Sequence, residues 1–334
     1  MSLLWLALSS LFLASCRKDK PTHTYNPTPY NLEIPEDFPQ MPMNPNNPLT
    51  KEGVELGKKL YYDVKLSEGG PQAGNSCSSC HIQSKSFADN SPGVSVLPHV
   101  NLGWGTKHWL WNGSKTGMLE DIMMFEVKEF FQVDVPRLMQ DTTYKRMFYE
   151  AFGTEEITSK EVAYALAQFV RTLISGNSKY DKYKRGEVDL TESEKRGMAI
   201  FFSERGDCFH CHAPPLFTDF DMHNIGLDSM PSDPKNWGLF AVTGDSADIG
   251  KFRTPTLRNV AVTGPYMHDG RFQTLDEVVN FYSEGVKNAP TLDPIMNHNG
   301  GIHLNLTEQE KEDLKAFLLT LTDEKFLSNP NYKP

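Results

Sequence analysis

Two five-residue stretches carry the chemistry of this chain: Cys77-Ser-Ser-Cys80-His81 and Cys208-Phe-His-Cys211-His212. Two thiols three positions apart can add to the two vinyl groups of a haem and form thioethers. The histidine that follows then lies under the ring as an axial ligand to iron. A zinc site built from four cysteines, or a redox dithiol, would also use the thiols, but neither requires a histidine directly after each pair. The repeated signature points to two covalently bound haem c groups, with His81 and His212 on the irons.

The elements around the two motifs repeat as well. Gly57-Lys-Lys-Leu60-Tyr61-Tyr62 precedes the first, and Gly197-Met-Ala-Ile200-Phe201-Phe202 precedes the second. Phe87 and Asp89 follow His81 much as Phe217 and Asp219 follow His212. This pattern predicts a duplicated haem domain in which a helix leads into each motif. Thr158-x-x-Glu161, Thr191-x-x-Glu194, Thr274-x-x-Glu277 and Thr307-x-x-Glu310 read as capping boxes that open helices. In the first of these, Val162, Leu166, Phe169 and Leu173 share one face, and Gly176 and Asn177 are expected to end it. Residues 221–250 are rich in Gly, Pro, Asp and Asn and read as a long functional loop region. The expected fold is mostly α, with two cytochrome c-like haem domains packed against each other, long loops and little strand. The expected divisions are 1–16, 17–48, 49–185 and 186–327.

Composition bounds the partners. At 334 residues with 23% charged and 39% hydrophobic, the chain is globular and long enough for two domains. A net charge of -10 without a basic cluster excludes nucleic acid. Leu3–Leu13 is an apolar run of signal-peptide length, and Leu13-Ala14-Ser15-Cys16 matches a bacterial lipobox. Five cysteines less the four used for haem leave Cys16 for lipidation. Residues 17–48 then read as a proline-rich tether that holds the folded part away from a membrane. The expected location is the periplasmic side of a bacterial membrane, with a lipid anchor. The chain is expected as a monomer or homodimer.

With these motifs in place, the chain resembles bacterial di-haem cytochrome c peroxidases, and more closely their MauG-like branch. The resemblance runs from Leu49 to Asp323. Its most specific stretch is Lys251-Phe-Arg-Thr-Pro-Thr-Leu-Arg-Asn-Val-Ala-Val-Thr-Gly-Pro-Tyr-Met-His-Asp-Gly270. It implies that one haem keeps an open face for hydrogen peroxide while the other is six-coordinate and stores or relays electrons. It also implies a calcium ion held by the carbonyls of Thr263 and Pro265. In peroxidases that draw electrons from a small cytochrome, a methionine lies fourteen residues after the position of His268. Here that place is Tyr282, as in the MauG-like branch. The resemblance therefore makes Tyr282 the second ligand of the C-terminal haem, whereas spacing alone would let it complete a core stripe with Leu275, Val278 and Val279. His223, Met267, Met296 and His298 are rival ligands outside the matching place.

The family's Trp-Asp-Gly appears as Trp111-Asn112-Gly113, which implies an electron-relaying role for Trp111; Trp104 and Trp109 read as core. The N-terminal haem region departs from the pattern. It is short and lacks an obvious distal histidine and the side-chain calcium ligand. The customary offsets for the distal glutamine and acid fall on Asp121 and Phe131, so the acid is sought among Asp121, Glu126 and Glu129. Helical spacing puts Glu126 and Glu129 on one face. The catalytic set expected from the sequence is Trp111, Glu126 and Glu129.

The implied function is an exported di-haem c-type oxidoreductase that forms high-valent haem with peroxide and oxidises a partner protein by long-range electron transfer. One alternative is peroxide reduction with electrons from a small cytochrome or cupredoxin. Another is a non-enzymatic electron-transfer or sensing lipoprotein. Pro290-Thr-Leu-Asp-Pro294, followed by His298 and Gly300-Gly301, is similar to branch members that modify a partner linked to copper handling.

Overall fold

The computed structural model describes residues 25–89, 95–297 and 301–334. Cys16 and the signal-like segment, residues 17–24 of the expected tether, and the ligand candidate His298 with Gly300 lie outside the described residues.

Eight helices carry the architecture: α1 (Lys51–Tyr62), α2 (Leu119–Phe125), α3 (Thr142–Phe152), α4 (Ser159–Arg171), α5 (Lys179–Lys184), α6 (Glu192–Phe201), α7 (Leu275–Asn280) and α8 (Glu308–Leu319). Single helical turns and loops join them. Among the described residues the sheets are two antiparallel two-residue pairs. His108–Trp109 faces Lys115–Thr116, and Met222–His223 faces Phe252–Arg253. All four expected capping boxes form, opening α4, α6, α7 and α8. Each satisfies orphan N–H groups of the first turn and stabilises its helix by about 1 kcal/mol. Helix α4 ends at Arg171, earlier than Gly176, because Thr172 and Leu173 tighten into shorter-range bonds to Phe169 and Val170.

The chain builds the same arrangement twice. Helix α1 crosses α4 so closely that a Cβ on Gly57 would lie 1.9 Å from the Ala165 carbonyl oxygen. Helix α6 crosses α8 the same way, and a Cβ on Gly197 would lie 1.8 Å from the Asp313 carbonyl oxygen. The N–H of Asn101 donates to Leu173 O at 2.9 Å, and that of Asn259 to Leu321 O at 3.0 Å. Both asparagines take left-handed backbone (φ 56 and 60), a region that Asn tolerates better than most residues. One apolar cluster gathers Leu56, Leu60, Leu166 and Phe169; a second gathers Phe201, Phe217, Phe317 and Leu321.

Three features depart from the expected divisions. The described part of the supposed tether is a packed strap. Phe38 and Met41 are buried with Trp104 and Phe220, the Trp104 indole donates to Pro39 O, and buried Asn47 donates to Glu120. Its prolines remove donors but leave carbonyls and apolar side chains free to pack. Helix α5, expected in the first unit, belongs with the second cluster through Tyr180 and through the buried pair Asp181–Arg258 at 2.9 Å. The tail returns to the first cluster, where Phe326 and Tyr332 pack on Phe87.

Candidate functional site

Cys77–Cys80 and Cys208–His210 each form a short helical turn of their own, separated from the helix before, and the histidine that follows is fixed by a backbone carbonyl. His81 Nδ1 lies 2.7 Å from Phe87 O, and His212 Nδ1 lies 3.0 Å from Phe217 O. Both phenylalanines have positive φ (57 and 53), a conformation costly for a bulky residue. With Nδ1–H donating to the carbonyl, each imidazole presents Nε2 with its lone pair free, the state needed to ligate iron. Burial pushes His81 down to about 4 and lowers His212 as well, so both rings are neutral at pH 7.

Cys77, Cys80, Cys208 and Cys211 form no disulfide. Burial raises Cys77 above the usual thiol range and pushes Cys208 up to about 12, which disfavours thiolates. Among the described residues no metal-ligating cluster joins the two cysteine pairs. A four-cysteine zinc site is therefore not built.

A large, mainly apolar cavity opens beside the second motif. Cys208, Cys211, His212, Trp111 and Tyr282 line it. Two cations meet the same cavity. Arg253 is buried, stacks over Phe220 and Trp109, and leaves Nε and Nη2 without partners. His223 is clamped between Asp219 at 2.9 Å and Asp293 at 2.6 Å, and hydrogen bonding to Asp219, then Cys211 and Asp293, pushes it up to about 11. His268 contributes a further buried unpaired Nδ1, while its Nε2 lies 2.9 Å from Asn236 Oδ1. An apolar slot walled by two thiols and a neutral histidine, with the unfilled Arg253 donors at its margin, fits a haem whose propionates need cationic partners.

Tyr282 does not sit on α7 itself but on the π turn Phe281–Gly285 that continues it. Burial, then the neighbouring cysteines, holds its phenol well above its ordinary range. The first half has the counterpart: α2 runs into the π turn Glu126–Phe130. Counted from the N-caps Met118 and Thr274, Glu126 and Tyr282 occupy the same position, eight residues on. Burial pushes Glu126 up to about 7. The expected partner Glu129 is separated from it. Its carboxylate is 61% exposed and paired with Lys115 at 2.9 Å, because the wider π spiral takes residues three apart off a common face. Asp121 caps α2 by accepting from Met118 N–H. Glu126 alone of the three remains as a part-buried acid with a raised value.

Trp111 lines the cavity and donates its indole N–H to Ser95 O at 2.7 Å, while its own carbonyl accepts from Arg253 N–H at 3.0 Å. It thus links the two halves. Trp104 and Trp109 are buried core, as expected. Met267 and Met296 line the cavity, but His223 is held by its carboxylates. Thr263 and Pro265 line it as well. Sequence reasoning missed Arg253, whose burial no local pattern signals, and His99. His99 Nδ1 lies 3.1 Å from Tyr61 Oη, and its ring stacks on His81 at 3.5 Å.

The chain's similarities agree with this geometry. The family model for di-haem cytochrome c peroxidase matches residues 51–189. The methylamine utilization protein MauG of Methylorubrum extorquens is 35% identical over 295 residues, covering 83% of this chain and 80% of that protein. Cytochrome-c peroxidase IdrP1 of Pseudomonas sp. (strain SCT) is 30% identical, covering 85% of this chain and 84% of its own. Among solved structures, a MauG-like protein associated with microbial copper homeostasis is 34% identical, with a TM-score of 0.77 over 91% of this chain and 99% of its own. The double haem-attachment signature, the fitted cavity and these relatives lead to one conclusion: the chain belongs to the di-haem cytochrome c peroxidase family and is an oxidoreductase of that kind.

Proposed function

We propose that this protein is the MauG-like kind of di-haem enzyme, using hydrogen peroxide to gather oxidising power and delivering it to a partner protein by long-range electron transfer. The observation that carries this reading is Tyr282, a part-buried phenol at the wall of the cavity that also holds His212. The bound haems would supply the redox chemistry, accepting two oxidising equivalents from peroxide between them.

The chain's own residues supply the rest. His81 and His212 would hold the irons, and the cysteine pairs would fix the rings. Glu126 would take a proton from incoming peroxide and return it to the leaving oxygen, a general base and then a general acid in one residue. Its partial burial and its value near 7 suit both roles. A deprotonated Tyr282 is a hard anionic donor that favours the higher oxidation states of iron, whereas a thioether would favour the lower. Trp111 would relay electrons between the halves through an oxidisable ring. Carbonyls of Thr263 and Pro265 would hold a calcium ion. Export and lipidation at Cys16 would put the enzyme on the periplasmic side of a membrane, and a partner connected with copper handling is the narrower form of the proposal.

The test is Tyr282→Phe, which keeps most of the packing and removes one oxygen. Both haems should remain attached, the C-terminal haem should change its spin state, and the long-lived peroxide-oxidised species should disappear. Tyr282→Met should raise that haem's potential. Spectra unchanged in Tyr282→Phe would make Tyr282 a core residue and remove the ground for the MauG-like reading.

A further inference from the structure

Behind His81 lies a polar pair that the scaffold does not require. Tyr61 is 1% exposed and enclosed by Tyr62, Phe87 and Phe169, with ring centroids at 5.4, 6.0 and 5.2 Å. Its hydroxyl meets His99 Nδ1 at 3.1 Å. That hydroxyl is sealed in an aromatic shell, so the arrangement that keeps its hydrogen paired is the one in which the phenol donates and Nδ1 accepts. The His99 ring stacks on His81 with centroids 3.5 Å apart and planes 20° apart. The Phe87 carbonyl ties the two together, lying 2.7 Å from His81 Nδ1 and accepting from His99 N–H at 3.1 Å.

The second half shows what the fold needs at these places. Phe201 follows Gly197 by four residues, as Tyr61 follows Gly57. Leu257 N–H donates to Phe217 O at 3.1 Å, as His99 N–H donates to Phe87 O. An apolar Phe and Leu therefore complete the same scaffold around His212. The first half has replaced both with a phenol and an imidazole in hydrogen-bond contact.

We propose that Tyr61 and His99 form a proton-coupled redox pair serving the haem held by His81. The proposal rests on the reading that peroxide oxidises that haem. In the forward step one electron passes from Tyr61 to the oxidised haem, which is reduced by one unit. The Tyr61 O–H bond breaks, its proton forms an N–H bond at His99 Nδ1, and Tyr61 becomes a neutral phenoxyl radical. The reverse step returns electron and proton to the phenol when an electron arrives. The hydrogen bond is what makes the step accessible, because a phenol oxidised without a base in contact is left as a strongly acidic cation. The aromatic shell keeps water from the radical, and the stacked imidazoles give the electron a contact route to the ligand of the iron. The pair would hold an oxidising equivalent close to the haem without exposing it.

The experiment uses the protein with both haems attached, mixed with hydrogen peroxide and frozen at intervals for optical and electron paramagnetic resonance spectra on the same samples. Wild type should give a tyrosyl radical whose splittings collapse when the protein is made with ring-deuterated tyrosine. Tyr61→Phe should lose that signal, and so should His99→Leu, which retains the phenol but removes its proton acceptor. Both variants copy residues that already complete the other half, and haem attachment checks that they fold. The same signal in Tyr61→Phe would overturn the assignment, and its survival in His99→Leu would overturn the proton transfer. Haems that respond to peroxide without any tyrosyl radical would refute the pair while sparing the peroxide reading. Haem spectra that ignore peroxide would refute that reading, and the pair with it.

Discussion

Glu126 and Glu129 stand three positions apart, yet only one of them is suited to proton transfer at a buried site. Lys115 holds Glu129 at the surface, whereas burial raises Glu126 to about 7. A carboxyl with a raised value is neutral below it and anionic above it. If Glu126 must first accept the peroxide proton, the rate of the peroxide reaction should climb with pH up to about 7 and level off above it. The same shift acts oppositely on stability: its contribution is complete below the unfolded carboxyl range and is lost as pH rises through about 7. Glu126→Gln should slow the peroxide reaction by about 10²- to 10⁴-fold and abolish the pH dependence, while Glu129→Gln should change neither. Stopped-flow mixing with peroxide across pH measures both. The candidate attachment cysteines and histidines stand out in the sequence because their chemistry needs a fixed local spacing. Glu126 could not be separated from Glu129 that way, because the π turn that distinguishes them has no reliable local signature. His99 and Arg253 were invisible for another reason: their meaning depends on partners brought from elsewhere, Tyr61 and His81 for one, and the cavity and its aromatic wall for the other.

At the scale of elements, the two helix crossings set the geometry of both sites. Each depends on a glycine that lets backbone meet backbone. An alanine at Gly197 would place its Cβ 1.8 Å from the Asp313 carbonyl oxygen, and one at Gly57 would meet Ala165 O at 1.9 Å. Neither obstacle is a flexible side-chain tip, so the helices must separate. Gly57→Ala and Gly197→Ala should each cost about 1–3 kcal/mol, read as a lower midpoint in chemical denaturation. By contrast, Gly74→Ala meets nothing within 4 Å, and its cost should come only from the positive φ of 91. The capping boxes and apolar stripes announced these helices correctly, because caps and faces are local. The strap formed by residues 28–48 looks like a tether in sequence. Its prolines exclude a helix but do not prevent Phe38, Met41 and Asn47 from docking on surfaces supplied later in the chain.

For the molecule as a whole, duplication is the organising fact, and the asymmetry between the copies is where function enters. The same scaffold places a carboxyl, Glu126, eight residues after one N-cap and a phenol, Tyr282, eight residues after the other. Polar contacts then join the halves: buried Asn259 donates to Ser86 Oγ at 3.0 Å, next to the Phe87 carbonyl that accepts from His81, and Arg253 N–H donates to Trp111 O. This construction suits a division of labour in which peroxide reacts in the first half and oxidising power is shared with the second. The most direct measurement adds one equivalent of hydrogen peroxide to the diferric protein and follows both irons by freeze-quench Mössbauer spectroscopy. The account predicts that a single equivalent alters both irons together and that the altered state outlives the peroxide. A change confined to one iron, with the other remaining ferric throughout, would contradict it.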